Sequence, residues 1–211
     1  WGVLQPLADG VKFIFKEELV PDGANKWLFR LAPAISAMPA MMGVAVIPFA
    51  AASPFYQDEG PLAIASLQID VLYILAFSGL SIYGIILGGW ASNSKFSLLG
   101  AIRASAQMIS YEAALGLAIA TVFLTGGSLS THEIVSSQSG WNWNVVTTGV
   151  VPFLVFLVAG TAELNRPPFD LVEAEQELVG GFHTEYSSIR FALFFLAEFM
   201  NVITMSAIAV T

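Results

Sequence analysis

The sequence predicts an all-α, polytopic transmembrane helix bundle with an amphipathic helix lying at the membrane interface near its N-terminus. Three observations predict it. Of 211 residues, 56% are hydrophobic and only 11% charged, and the mean hydropathy of +0.72 exceeds what a hydrated globular surface tolerates. A bilayer core of about 30 Å needs about 20 mostly apolar residues in helical form, and five windows qualify: 31–52, 70–90, 103–124, 145–163 and 190–211. Lys and Arg fall only in alternate connections, the pattern of a chain threaded back and forth under the positive-inside rule. The chain opens on Trp1, and its last apolar run stops at Thr211 without a polar tail, so it reads as a fragment of a longer protein.

The elements follow in order. Residues 5–18, within "QPLADGVKFIFKEE", are too short and too charged to span. Pro6 suits a first helical turn, and Leu7, Val11, Ile14 and Phe15 then share one face, with Asp9, Lys12 and Lys16 largely on the other. Such a helix lies in the interface, whether as a working part or as an anchor for the first span. Pro33, Pro39 and Pro48 should kink the first span. Lys12, Lys16, Lys26 and Arg30 precede it, Lys95 and Arg103 separate the second span from the third, and Arg166 and Arg190 separate the fourth from the fifth. The other two connections hold Asp58 and Glu59, or His132 and Glu133, with no Lys or Arg, which places them outside.

Composition excludes several functions. The chain has no cysteine and two histidines, His132 and His183, so it cannot ligate an iron–sulfur cluster and is poorly equipped for haem. No metal site is expected. A net charge of −8 argues against nucleic acid as a partner.

The acids carry the functional signal. Glu112 sits about halfway along the third span, Glu198 is similarly deep in the fifth, and Glu163 closes the fourth. A carboxylate at the bilayer centre costs roughly 2.5 to 3.5 kcal/mol on insertion scales, so each should face protein or water, either as a proton carrier or as an interhelical hydrogen-bonding group. Residues 164–189 form an acidic connection with Asp170, Glu173, Glu175, Glu177 and Glu185. Pro167 and Pro168 stop the preceding helix, and Asp170 with Glu173 has the spacing of a capping box for a short helix through Leu178. Glu173 and Glu177, four residues apart, repel, which favours a proton held between them. A solvated acidic loop would look similar, but Phe169, Leu171, Val172, Leu178, Val179, Phe182 and Tyr186 interleave with the acids, as in a loop that packs on a partner.

"GGWASNSKFSLLGAIRASAQMISYE" (88–112) and "AELNRPPFDLVEAEQELVGGFHTEYSSIRFALFFLAEF" (162–199) closely resemble the quinone-tunnel membrane subunit family of respiratory complex I, the NADH:quinone oxidoreductase. "LQPLADGVKFIFKEE" is similar to that family's first amphipathic helix. The resemblance implies a subunit joining the membrane arm to the peripheral arm. With soluble partners it forms a tunnel for quinone, ubiquinone or menaquinone, and couples quinone reduction to proton translocation. FMN and iron–sulfur clusters would reside only in partner subunits, and further small membrane-arm subunits and lipid would surround the chain.

Carried over by position, Glu112, Glu163 and Glu198 match the family's proton relay. Asp170, Glu173, Glu175, Glu177 and Glu185, with Arg166 and Arg190, match its coupling loop. Lys12, Phe13 and Lys16 fall near the tunnel entrance. Val172 and Ser188 depart from the family's usual "DLPEAE" and "EYSG", which bears on loop conformation and leaves the acids in place. The style of the motifs implies a bacterial plasma membrane ahead of the mitochondrial inner membrane. Two alternatives stay open: the equivalent subunit of a ferredoxin-, F420- or hydrogen-linked ion-pumping complex, and a proton-coupled secondary transporter.

Overall fold

The computed structural model describes residues 2, 4–49, 63–138, 140–170 and 179–211, and among these it contains helices and connections but no strand. In chain order the helices are α1 (Gln5–Phe15), α2 (Lys26–Gly43), α3 (Asp70–Ala91), α4 (Lys95–Gly126), α5 (Thr131–Ser137), α6 (Asn144–Thr147), α7 (Val150–Glu163) and α8 (Ser188–Val210). Short 3-10 turns lie at Val44–Val46 and Gly181–His183. Among the described residues, four segments are long and apolar enough to cross a membrane: Lys26–Val46, Asp70–Ala91, Lys95–Gly126 and Ser188–Val210.

Local chemistry sets the ends of these helices. Asn25 caps α2 by accepting a hydrogen bond from the Leu28 amide, one of the donors a helix start leaves unpaired. The helix runs on through Pro33 and Pro39, both buried, and tightens to 3-10 geometry only at Val44. α4 begins at Lys95, eight residues ahead of Arg103, so both basic residues lie on the helix itself. It ends where Gly127 takes a left-handed φ of 71° and returns its amide to the Phe123 carbonyl. Gly149, at φ 91°, divides α6 from α7. That break leaves α7 with 14 residues, about 21 Å of helix.

Small residues let the helices approach. A Cβ on Gly84 of α3 would lie 2.6 Å from the Ser36 amide nitrogen of α2, so these two backbones are in contact. Gly100 of α4 meets Gly181 in the same way, which seats the loop before α8 directly on α4. A second core joins α4, α7 and α8 through Leu115, Ile119, Phe156 and Met205. Large side chains elsewhere, such as Leu80, Leu117, Val151 and Ile203, are exposed on the outside of the bundle, where lipid would cover them.

The bundle has two chemically distinct ends. At one, the Asn25 amide bonds to the Ala91 carbonyl, and Tyr186 stacks on Phe29 with ring centroids 4.1 Å apart. The starts of α2, α4 and α8, with Lys26, Arg30, Lys95 and Arg190, thereby gather with α1 at that end. At the other, Asp70 opens α3 and bonds to Thr131 of α5, which also reaches the Val46 carbonyl.

Candidate functional site

The candidate site lies where α3, α4, α7 and α8 converge. Glu163, the last residue of α7, is only 4% exposed. Its Oε1 accepts a hydrogen bond from Ser78 Oγ of α3, and its Oε2 is buried with no hydrogen-bond partner among the described residues. Ser81, one turn further along α3, returns its hydroxyl to the Ser78 carbonyl at 2.7 Å. Glu112, half-buried on α4, presents its carboxyl to Gly79. Glu163 and Glu112 thus meet α3 at consecutive residues, Ser78 and Gly79. Glu198 of α8 pairs with Arg166 at 3.1 Å, and the Arg166 guanidinium also sits 5.1 Å from the Phe199 ring centroid.

A cavity of about 40 Å³ lies between Glu163 and Glu198, lined also by Ser36, Ser81, Asn165 and Asn201 among others. It has room for a water or two and not for a quinone ring. A much larger cavity of about 480 Å³ lies at the opposite end of the bundle, between α4, α5, α7 and α8, and is almost wholly apolar. None of the three intramembrane acids lines it.

The connection after α7 is tied down at both ends. Gln107 of α4 donates from Nε2 toward the Ala162 carbonyl at 2.8 Å, Asn165 Oδ1 at 3.0 Å and the Phe169 carbonyl at 2.9 Å. An amide has two protons, so the three acceptors share them. Phe169 also packs on Tyr111. Asp170 Oδ1 is buried with no hydrogen-bond partner among the described residues.

At the far end of the connection, His183 is enclosed by Phe182, Phe191 and Phe195. Burial pushes the imidazole down to about 4, so it is neutral. Burial likewise raises the Tyr186 phenol above its ordinary range. Arg190 bonds Glu18 at 2.6 Å, and Ser188 Oγ donates to the Phe13 carbonyl at 2.9 Å. These contacts dock α1 on the start of α8, with Phe13 against Phe191 and with Lys12 and Lys16 exposed.

The whole chain, residues 1–211, matches the family described as NADH dehydrogenase. The chain belongs to the NADH dehydrogenase family. The H subunit of NADH-quinone oxidoreductase from Frankia casuarinae is 52% identical over 210 residues, covering 100% of this chain and 46% of the relative. A Geobacter metallireducens relative, one of that organism's H subunits of NADH-quinone oxidoreductase, is 49% identical over 211 residues, covering 100% and 64%. The corresponding Cytophaga hutchinsonii protein, of the same name, is 50% identical over 208 residues, covering 99% and 60%. The chain thus spans about half to two thirds of the length of these relatives.

Within this NADH dehydrogenase family chain, the structure brings Glu112, Glu163, Glu198 and Arg166 into one region. It sets Lys12, Phe13, Lys16 and Arg190 apart from them, at the α1–α8 junction. Glu185 is half-buried in the connection between the two groups. Glu173, Glu175 and Glu177, with the capping box and short helix expected there, lie outside the described residues, as do Asp58 and Glu59. Sequence reasoning missed Ser78, Gln107 and the aromatic enclosure of His183. A hydroxyl or amide inside an apolar span is a weak signal, and its only cue is a polar atom opposite a membrane carboxyl on another helix.

Proposed function

We propose that the chain is the core of the membrane subunit of a proton-translocating NADH:quinone oxidoreductase, lining the quinone's access route and coupling quinone reduction to proton movement. One observation carries the reading: similarity along the whole chain, at about 50% identity, to proteins named as the H subunit of NADH-quinone oxidoreductase. The basic end of the bundle faces the cytoplasm of a bacterial cell, where the acidic connection meets soluble subunits of the peripheral arm. FMN and iron–sulfur clusters belong to those partners, and the quinone, ubiquinone or menaquinone, is a substrate shared with them. The small cavity beside Glu163 supports this sharing, since it has room for water and not for the ring.

The physical logic runs from charge to protons. Two-electron reduction of a quinone requires two protons, and carboxyls set in low dielectric exchange protons in response to new charge nearby. Asp170, Glu173, Glu175, Glu177 and Glu185 sense that change. Arg166 links the connection to Glu198 in α8, and Glu163 and Glu112 carry the proton into the bundle. Lys12, Phe13 and Lys16 border the entrance from lipid.

The test is to tag the full-length parent in its native membrane, purify it in mild detergent and assay NADH-driven quinone reduction. Co-purification of flavin and iron–sulfur subunits with quinone reductase activity is the expected result. Activity answering only to ferredoxin or hydrogen would move the electron donor to the sister complexes, and a tagged chain that purifies alone would overturn the reading.

A further inference from the structure

Two consecutive residues of α3, Ser78 and Gly79, each meet a different intramembrane acid. Ser78 donates its hydroxyl to Glu163, which comes from α7. Gly79 faces Glu112, which comes from α4, so closely that a Cβ there would lie 2.9 Å from Glu112 Oε1 and 3.6 Å from Oε2. One helix thus meets both carboxyls at adjacent positions, with a donor at one and a missing side chain at the other.

The meeting is chemically demanding. Glu163 ends α7, where exposed carbonyls disfavour negative charge. Its Oε2 is buried without a donor among the described residues. A second carboxyl meeting the next residue of the same helix raises the electrostatic penalty further, and two such groups close together do not both ionise readily. Among the described residues, the other titratable groups lining the small cavity beside Glu163 are Glu198, already engaged with Arg166, and His183. Among the described residues, a single hydroxyl therefore serves Glu163, and it comes from the helix that also makes room for Glu112.

We propose that Ser78 and Gly79 are positioning residues for proton transfer: together they seat the Glu163 and Glu112 carboxyls side by side so that the pair holds one proton and exchanges it. The exchange is balanced. An O–H bond breaks on one carboxyl as one forms on the other, and the pair keeps a net charge of −1. Ser78 orients Glu163 by bonding Oε1, which leaves Oε2 as the oxygen that gains or loses the proton. Gly79 sets the depth of Glu112, and any larger residue pushes that carboxyl away. This inference rests on the functional reading above.

The experiment uses the full-length parent complex in native membranes, with Ser78→Ala, Ser78→Thr, Gly79→Ala and Glu163→Gln. Two activities are compared: NADH-driven quinone reduction, and NADH oxidation by a hydrophilic acceptor that reports assembled complex. Ser78→Ala should lower quinone reduction about tenfold at unchanged acceptor activity, the scale expected for one hydrogen bond to a charged group. Ser78→Thr, which restores a hydroxyl, should recover most of the loss. Gly79→Ala displaces only the mobile end of Glu112, so it should assemble normally and lose quinone reduction to a similar degree. Redox-induced infrared difference spectra give an independent readout. The carboxyl band that disappears in Glu163→Gln should shift in Ser78→Ala and return in Ser78→Thr.

Parent-like quinone reduction in both Ser78→Ala and Gly79→Ala, with Glu163→Gln impaired, would overturn the positioning role and leave the functional reading intact. Parallel loss of both activities in Ser78→Ala and Gly79→Ala would also overturn it, since that is the mark of a purely structural role. An unimpaired Glu163→Gln would remove the functional reading of the pair itself.

Discussion

Two buried acids, Asp70 at the first residue of α3 and Glu163 beside Ser78 in the middle of that helix, are treated very differently by the fold. Asp70, 1% exposed, opens α3, where the helix dipole favours negative charge. Its Oδ1 accepts the Leu67 amide at 2.8 Å, and its Oδ2 accepts the Thr131 amide at 3.1 Å and the Thr131 hydroxyl at 2.9 Å, with Ser130 Oγ more distant at 3.4 Å. Glu163 closes α7, at the unfavourable end of a helix, with one donor and one bare oxygen among the described residues. A fully bonded carboxylate fastens parts of a fold together. An under-bonded one stores an unfavourable interaction that a proton relieves, which is the property a relay needs.

The largest expected effect therefore belongs to the well-bonded acid. Asp70→Ala strands the Leu67 and Thr131 amides and should destabilise the bundle by about 3 kcal/mol or more. Immunoblots of membranes should show several-fold less protein. Asp70→Asn keeps one acceptor oxygen and should lie between Ala and the parent. Wild-type abundance of Asp70→Ala would break the comparison.

Next comes the α2–α3 seam. Gly84→Val places a branched side chain against the Ser36 backbone, and should cost about 1 to 3 kcal/mol, read as a lowered Tm in detergent. An unchanged Tm would show that the two backbones part more easily than their contact implies.

Smaller still is a pH effect at the connection before α8. His183 is held neutral, near 4, against about 6.5 for a free imidazole. The undocked loop takes up a proton first as pH falls. Docking is thus at full strength above pH 6.5, weakens below it, and stops weakening near pH 4. The protection of amides 179–187, taken as intrinsic over observed exchange rate, should fall between about pH 7 and pH 5. His183→Phe, which suits the aromatic enclosure, should remove that dependence.

Much of the architecture is legible in the sequence, for reasons the apolar runs and their few charges make plain. Long apolar runs must become helices in a bilayer, and Glu112, Glu163 and Glu198 stand out against them because charge is so unfavourable there. Helix boundaries are less legible. The divide at Gly149 and the early start of α4 at Lys95 depend on backbone geometry, and hydropathy does not report it. Pairings are not legible at all. Arg166 and Glu198 both stand out in the sequence, yet 32 positions separate them and only the packing of α8 joins them. Asp70 reads as a boundary charge because its partner Thr131 lies far along the chain, and Ser78 reads as an ordinary small residue of a span.

The smallest expected effect on stability, within about 0.5 kcal/mol, comes from Glu163→Gln, because the amide keeps the Ser78 contact and removes a poorly bonded acid. It also supplies the most direct test of the central claim, that Glu163 is built for proton exchange and Asp70 for structure. The measurement is NADH-driven quinone reduction per assembled complex in Glu163→Gln membranes. A relay at Glu163 predicts normal assembly with turnover lowered about tenfold or more; normal turnover, or turnover lost only in proportion to lost complex, would contradict it.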